Sequence, residues 1–198
     1  RYASSPKARH LAVADLLERI RPAAPFLSGV TVSGGEATMQ PHFLRALFDG
    51  IKADPTLRTL TCFVDTNGDA PSSTWSLLDP VLDGAMVDLK CLDPAIHVEI
   101  TGADNTRTLD SIVRLAQDGK LYEVRLLILP GRNDDPELLT ATGAWLADID
   151  PRLRIKVIGF RRHGTRPSPI PLVEPTREHL QRCADLVAAR GDFVVTVV

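Results

Sequence analysis

Short β-branched apolar runs recur along the chain, each separated from the next by a stretch whose apolar residues return at the helical period. This alternation is the strongest constraint on the fold. Strands and helices that alternate through short connections pack as right-handed βαβ units around a parallel sheet. Helices are predicted over 10–20, 41–53, 75–82, 105–117, 136–147 and 176–190, and strands over 29–32, 60–64, 85–89, 123–129, 154–160 and 193–198. Pro22 and Pro25 break the first helix. Runs such as Arg125-Leu126-Leu127-Ile128-Leu129 lack alternation, as expected for strands covered on both faces. The proline-rich stretch over 167–175 falls between a strand and its helix and is read as a loop at the mouth, so residues 1–198 form one domain.

Composition narrows the function. With 198 residues, 44% of them hydrophobic, the chain can bury a substantial core. Lys and Arg number 23 against 25 Asp and Glu, so no broad basic field attracts nucleic acid or anionic membranes. No apolar run approaches the ~20 residues of a membrane helix, and no signal-like start is present; a cytoplasmic protein is expected. Cys62, Cys91 and Cys183 are far apart, without the spacing of a metal knuckle or a redox dithiol. A four-iron cluster needs several closely placed thiolates, so the ligands of a [4Fe-4S] cluster are expected to be absent from this chain. The first residue is Arg1, and a polar stretch runs directly into a helix, so a fragment of a longer chain is expected.

Ligands of α/β barrels and open α/β sheets gather at the carboxyl ends of the strands. Five strands end in polar chemistry: Ser33-Gly34-Gly35-Glu36, Asp65-Thr66-Asn67-Gly68, Asp88-Leu89-Lys90, Pro130-Gly131-Arg132-Asn133-Asp134-Asp135, and Arg161-Arg162-His163-Gly164. Adjacent glycines let a ligand approach the main chain, though Gly34 and Gly35 also suit a plain tight turn. Asp65 and Asp88 could converge on a cation, with Lys90 projecting to the same side as Asp88, a set that suits a zwitterion. Alternatively Asp65 caps its own turn and Asp88 pairs with Lys90. Arg161 and His163 could lie against a nucleobase or bond a ribose, or be solvated loop residues. The remaining histidines make no metal spacing.

Taken together, these strand ends resemble the glycyl-radical-activating family of radical S-adenosylmethionine enzymes. The resemblance rests on Gly29-Val30-Thr31-Val32-Ser33-Gly34-Gly35-Glu36-Ala37, Asp65-Thr66-Asn67-Gly68, and Val87-Asp88-Leu89-Lys90, then Ile96-His97, Gly102, Asn105-Thr106-Arg107-Thr108-Leu109, and Leu129-Pro130-Gly131 with Asn133-Asp134-Asp135. It implies a partial (β/α)6 TIM-like barrel of parallel strands, lacking the first strand, that binds S-adenosylmethionine across its mouth. In the implied site Gly34 and Gly35 take the methionine amino group, with Ser33 and Glu36 beside them among the residues that bind the cofactor. Asp65, Thr66 and Asp88 place the carboxylate, with a monovalent cation as a candidate at Asp65 and Asp88, and Lys90 bonds the carboxylate or ribose. A reduced [4Fe-4S] cluster would cleave the sulfonium, and the resulting 5′-deoxyadenosyl radical would take a hydrogen from a glycine of the partner, a glycyl-radical enzyme. Flavodoxin or ferredoxin would donate the electron. The family's CxxxCxxC cluster motif is not found here, and Arg161, with His163 nearby, stands where a ribose-contacting histidine is expected. Arg125 would face the substrate peptide or be paired inside the barrel.

Two other functions fit fewer of these residues. A barrel lyase or aldolase would use Lys90 as a Schiff base with Asp88 moving protons, but leaves the Gly-Gly-Glu and Asp-Thr-Asn-Gly ends unexplained. A non-catalytic domain would dock a partner through the barrel mouth.

Overall fold

The structure, a computed structural model, describes residues 9–162 and 172–198. Helix α1 (Val13–Ile20) passes into a 3-10 turn (Arg21–Phe26) whose prolines end the α-helix, and extended Leu27 leads into strand β1 (Gly29–Val32). Then follow α2 (Pro41–Ala53), β2 (Thr61–Thr66), α3 (Ser72–Leu78), β3 (Gly84–Leu89), α4 (Pro94–Thr101), α5 (Thr106–Gln117), β4 (Leu121–Ile128), α6 (Pro136–Ile149), β5 (Arg154–Gly159), α7 (Arg177–Ala188) and β6 (Val194–Val197). Local chemistry sets several helix starts. Proline stands at the beginning of α2, α4 and α6, where a missing N–H costs nothing. Asp93, Asp135 and Thr176 cap α4, α6 and α7 through their side chains.

The six strands form one sheet in the order β1-β2-β3-β4-β5-β6, every neighbouring pair parallel. Sequential order with crossovers of one hand places the helices on one side and leaves the other as the concave interior of a partial barrel. Burial follows this division. Cys62 and Val64 of β2, Val87 and Leu89 of β3, Val124, Leu126 and Ile128 of β4, and Ile155 and Val157 of β5 join Phe48, Leu78, Ile112, Leu115, Leu146 and Val187 of the helices in one buried core. The residues between them point to the interior.

The α/β class and the parallel partial barrel match expectation, with three differences. Strand β2 runs on to Asp65 and Thr66, so these residues lie within the ladder, Asp65 opposite Met86 and Thr66 opposite Val87. A separate helix, α4, stands between β3 and α5; its apolar Ile96, Val98 and Ile100 alternate instead of forming a helical stripe, and its start depends on Asp93 and Pro94. Among the described residues, helices cover the strands on one face only. Interior Thr61 and Tyr122 are exposed, and Phe63, Asp65, Met86, Asp88 and Arg125 are half-buried. Coverage on both faces was expected because a parallel sheet normally carries helices on each side, but sequential strand order sends every helix to the same side. His163 and most of the proline-rich stretch lie outside the described residues.

Candidate functional site

The exits of β1 to β3, with Arg125 from within β4, open into one cleft of about 320 Å³ lined by Ser33, Gly34, Gly35, Glu36, Asp65, Thr66, Asn67, Asp88, Lys90 and Arg125. Eight of the ten residues that the resemblance places around S-adenosylmethionine, all but Arg161 and His163, therefore share a hollow, and Arg125 joins them. Their roles within it differ.

Gly34 and Gly35 have φ of 96° and 56°, a region that side-chain-bearing residues rarely adopt. Nothing lies within 4 Å of where a Cβ would stand on either, so the turn faces open space and a ligand can reach its main chain. The glutamate that follows is already engaged. Glu36 Oε1 accepts from the Thr38 amide (3.0 Å), the Thr38 hydroxyl (2.7 Å) and the Thr66 hydroxyl (2.7 Å), and Oε2 accepts from the Asn67 amide (2.8 Å). Thr66 in turn accepts from the Gly68 amide at 3.0 Å and is buried. Glu36 and Thr66 thus staple the exit of β1 to that of β2, while both also line the cleft. Helix α5 holds the same turn from behind, Thr108 donating to the Asn67 carbonyl (3.0 Å) and Ser111 to the Gly68 carbonyl (2.7 Å).

The charged residues form two linked groups. Asp88 Oδ2 pairs with Lys90 Nζ at 2.6 Å. Asp65 accepts from Ser33 Oγ (3.1 Å) and from Arg125 Nη1 (2.8 Å), while Arg125 Nε reaches Glu123 Oε1 (3.0 Å), which also faces Lys156 Nζ at 3.3 Å. Burial works against the Arg125 charge, but hydrogen bonds to Glu123 and Asp65 outweigh it and push its pKa above the ordinary arginine value. Asp65 and Asp88 are therefore no bare acidic pair: each carries a basic partner. Among the described residues no group of three or more His, Cys, Asp or Glu is placed to hold a metal ion. The Schiff-base reading also weakens, because an attacking amine has to be free of its carboxylate and Lys90 is hydrogen-bonded to Asp88.

Arg161 does not line this cleft. It follows β5 with its guanidinium on Glu174 (3.1 Å), whose other carboxylate oxygen accepts the Arg162 amide (2.9 Å). These hydrogen bonds, the Arg162 amide first and the Arg161 side chain second, hold the Glu174 carboxyl below its usual pKa. The three cysteines are buried on separate parts of the fold: Cys62 in β2, Cys91 after β3, Cys183 in α7. Burial raises all three thiols, Cys62 and Cys183 to about 11, the opposite of what a thiolate ligand requires.

Sequence reasoning gave no role to Glu123 or Lys156, nor to Asn105 and Asn133, which hold the β3 exit as described below. The signal for the first two lay in the strand period, since Glu123 and Arg125 share a face of β4 and Lys156 is the registered neighbour of Arg125.

A family model described as "Radical SAM superfamily" matches residues 1–141. Among curated proteins the chain is 27% identical over 162 residues to the pyruvate formate-lyase-activating enzyme of Staphylococcus epidermidis and 29% identical over 167 residues to the pyruvate formate-lyase 1-activating enzyme of Escherichia coli K12. Each alignment covers 79% of this chain and 64% of the relative, so the chain spans somewhat under two thirds of the relatives' length. A solved domain of a pyruvate-formate lyase-activating enzyme from Bacteroides vulgatus superposes with a TM-score of 0.69 at 24% identity, covering 86% of this chain and 99% of that one. Streptococcus suis SuiB bound to S-adenosylmethionine superposes with a TM-score of 0.73 at 14% identity, covering 96% of this chain and 44% of that one. Both structural likenesses establish the fold.

Proposed function

Since the chain belongs to the radical SAM superfamily, we propose that its strand-end cleft binds the methionine end of S-adenosylmethionine. The observation that carries this reading is the meeting, in one cleft, of an open Gly34-Gly35 turn with two acid–base pairs, Asp88 with Lys90 and Asp65 with Arg125. An amino acid's ammonium suits the carbonyls of such a turn and the nearby carboxylates; its carboxylate suits Lys90 and Arg125. Ser33 supports Asp65, and Glu36 and Thr66 fix the turn. A monovalent cation bridging Asp65 and Asp88 would compete with bases already seated there, so the ligand carboxylate is read as held by those bases directly. An adenosine contact from Arg161 would require its guanidinium to leave Glu174.

When bound, S-adenosylmethionine supplies a sulfonium whose reductive cleavage is the source of radical chemistry. The protein's own work is to orient the ligand and to limit water around it. A [4Fe-4S] cluster, which the family implies, does not fit Cys62, Cys91 and Cys183, which are buried, dispersed and held protonated; this chain's residues carry no step through one.

For the protein as a whole, we read activation of a cytoplasmic glycyl-radical enzyme as the function, with flavodoxin or ferredoxin as electron donor. The named relatives at 27–29% identity support it. Titration calorimetry with S-adenosylmethionine tests the reading. Saturable binding is expected, weakened about tenfold, or ~1.4 kcal/mol, by Lys90→Met. Absence of saturation by the unaltered protein would refute it.

A further inference from the structure

The segment just after β3 is held by two buried side-chain amides from different loops. Asn133, 4% exposed in the loop after β4, donates from Nδ2 to the Lys90 carbonyl (2.7 Å) and the Leu127 carbonyl (2.6 Å), while its Oδ1 accepts from the Leu129 amide (2.8 Å). Both of its polar ends are thereby used, and the side chain clamps the β3 exit to that of β4. Asn105, 3% exposed, donates from Nδ2 to the Cys91 carbonyl (3.1 Å) and the Leu92 carbonyl (2.8 Å). It stands at the N-cap of α5, where asparagine commonly caps its own helix, yet it makes no such bond. Three consecutive carbonyls, 90 to 92, are thus held by two asparagines.

Lys90 lies beyond the last ladder residue of β3, so the sheet alone does not fix its backbone. Its carbonyl and its ammonium belong to one residue: a displaced carbonyl moves Cα, and with it Nζ, away from Asp88 and the cleft. Serine at 133 is too short to bridge the two strand exits. We infer that Asn133, assisted by Asn105, is a positioning residue that sets the cleft's affinity for the ligand carboxylate by aiming Lys90. The inference rests on the binding reading above.

The test is a set of calorimetric titrations with two probes, S-adenosylmethionine and its decarboxylated analogue, which keeps the sulfonium, amine and nucleoside but lacks the carboxylate. Asn133→Ser is expected to weaken S-adenosylmethionine about five- to tenfold while leaving the analogue within about twofold, and Lys90→Met with Asn133→Ser is expected to bind no worse than Lys90→Met alone. Equal weakening toward both probes, or losses that multiply in the double variant, would overturn the positioning role. So would unchanged binding by Asn133→Ser alongside weakened binding by Lys90→Met. If Lys90→Met itself binds S-adenosylmethionine as tightly as the parent, the binding reading has failed instead. Should Asn133→Ser not fold, Asn105→Ser is judged by the same titrations and criteria.

Discussion

On the helix-covered face of the sheet, Cys62, Val64, Val87, Val124, Ile155 and Val157 are sealed from solvent, whereas on the interior face the intervening Asp65, Asp88, Arg125 and Lys156 are half-buried and charged. The same strands supply both sets, because successive side chains point to opposite faces. The two faces therefore separate two demands: apolar burial on one side stabilises the fold, and the other side is free to carry paired charges that would be costly in a sealed core. A binding site can be changed here without dismantling the barrel.

Variants on each face can break that division. Phe48→Ala, in the fully buried helix layer, is expected to lose about 3–5 kcal/mol in urea unfolding; a loss below about 1 kcal/mol would show that the helix layer is not the source of stability. Next in size is Gly68→Ala, where φ is 75° and an added Cβ would stand 2.9 Å from Val87 Cγ1. About 1–3 kcal/mol should be lost there, and more than for Gly35→Ala, whose φ is also positive but whose Cβ meets nothing. Arg125→Met, on the interior face, should cost about 1–2 kcal/mol, since Asp65 keeps access to water and the buried Glu123 retains Lys156, while weakening S-adenosylmethionine by tenfold or more. An unfolding loss as large as that of Phe48→Ala would erase the distinction between the faces.

The smallest effect is a pH drift. Burial raises Cys62 and Cys183 from 9.0 to about 11. Their folded pKa lies above the unfolded one, so the stabilisation is complete below pH 9 and is lost as pH rises from 9 through 11, where only the unfolded chain gives up the protons. The urea midpoint should fall over that range, and less steeply in a Cys62→Ala, Cys183→Ala double variant. Rapid reaction of the native thiols with a disulfide reagent at pH 8 would contradict their burial.

Strand β1 and helix α2 were legible to the residue, since a β-branched run between a proline-containing turn and a glycine pair, and a proline-led amphipathic stretch, have few alternatives. The β2 boundary was not: Asp65 and Thr66 read as the turn after the strand, and only pairing with Met86 and Val87 keeps them in the ladder. Most of the cleft's lining was legible too, because strand order brings successive exits together, but Arg161 does not line it and mid-strand Arg125 does. Which side chains were free was not. Glu36 resembles a ligand group in sequence and proves to be a staple, while Asn133 resembles loop polarity and proves to be a clamp.

Local patterning by itself determined the six strands, every helix but α4, the parallel class and the end of the sheet at which polar chemistry collects, because hydrophobic period and turn residues act over a few positions. Only the tertiary structure decided the pairing of Asp65 with Arg125, 60 residues apart, the stapling of Glu36 to Thr66, and the holding of Lys90 by Asn133. Hydrogen bonds and ion pairs are directional over about 3 Å, so their partners are chosen by the register and curvature of the finished sheet, which no short window of sequence contains.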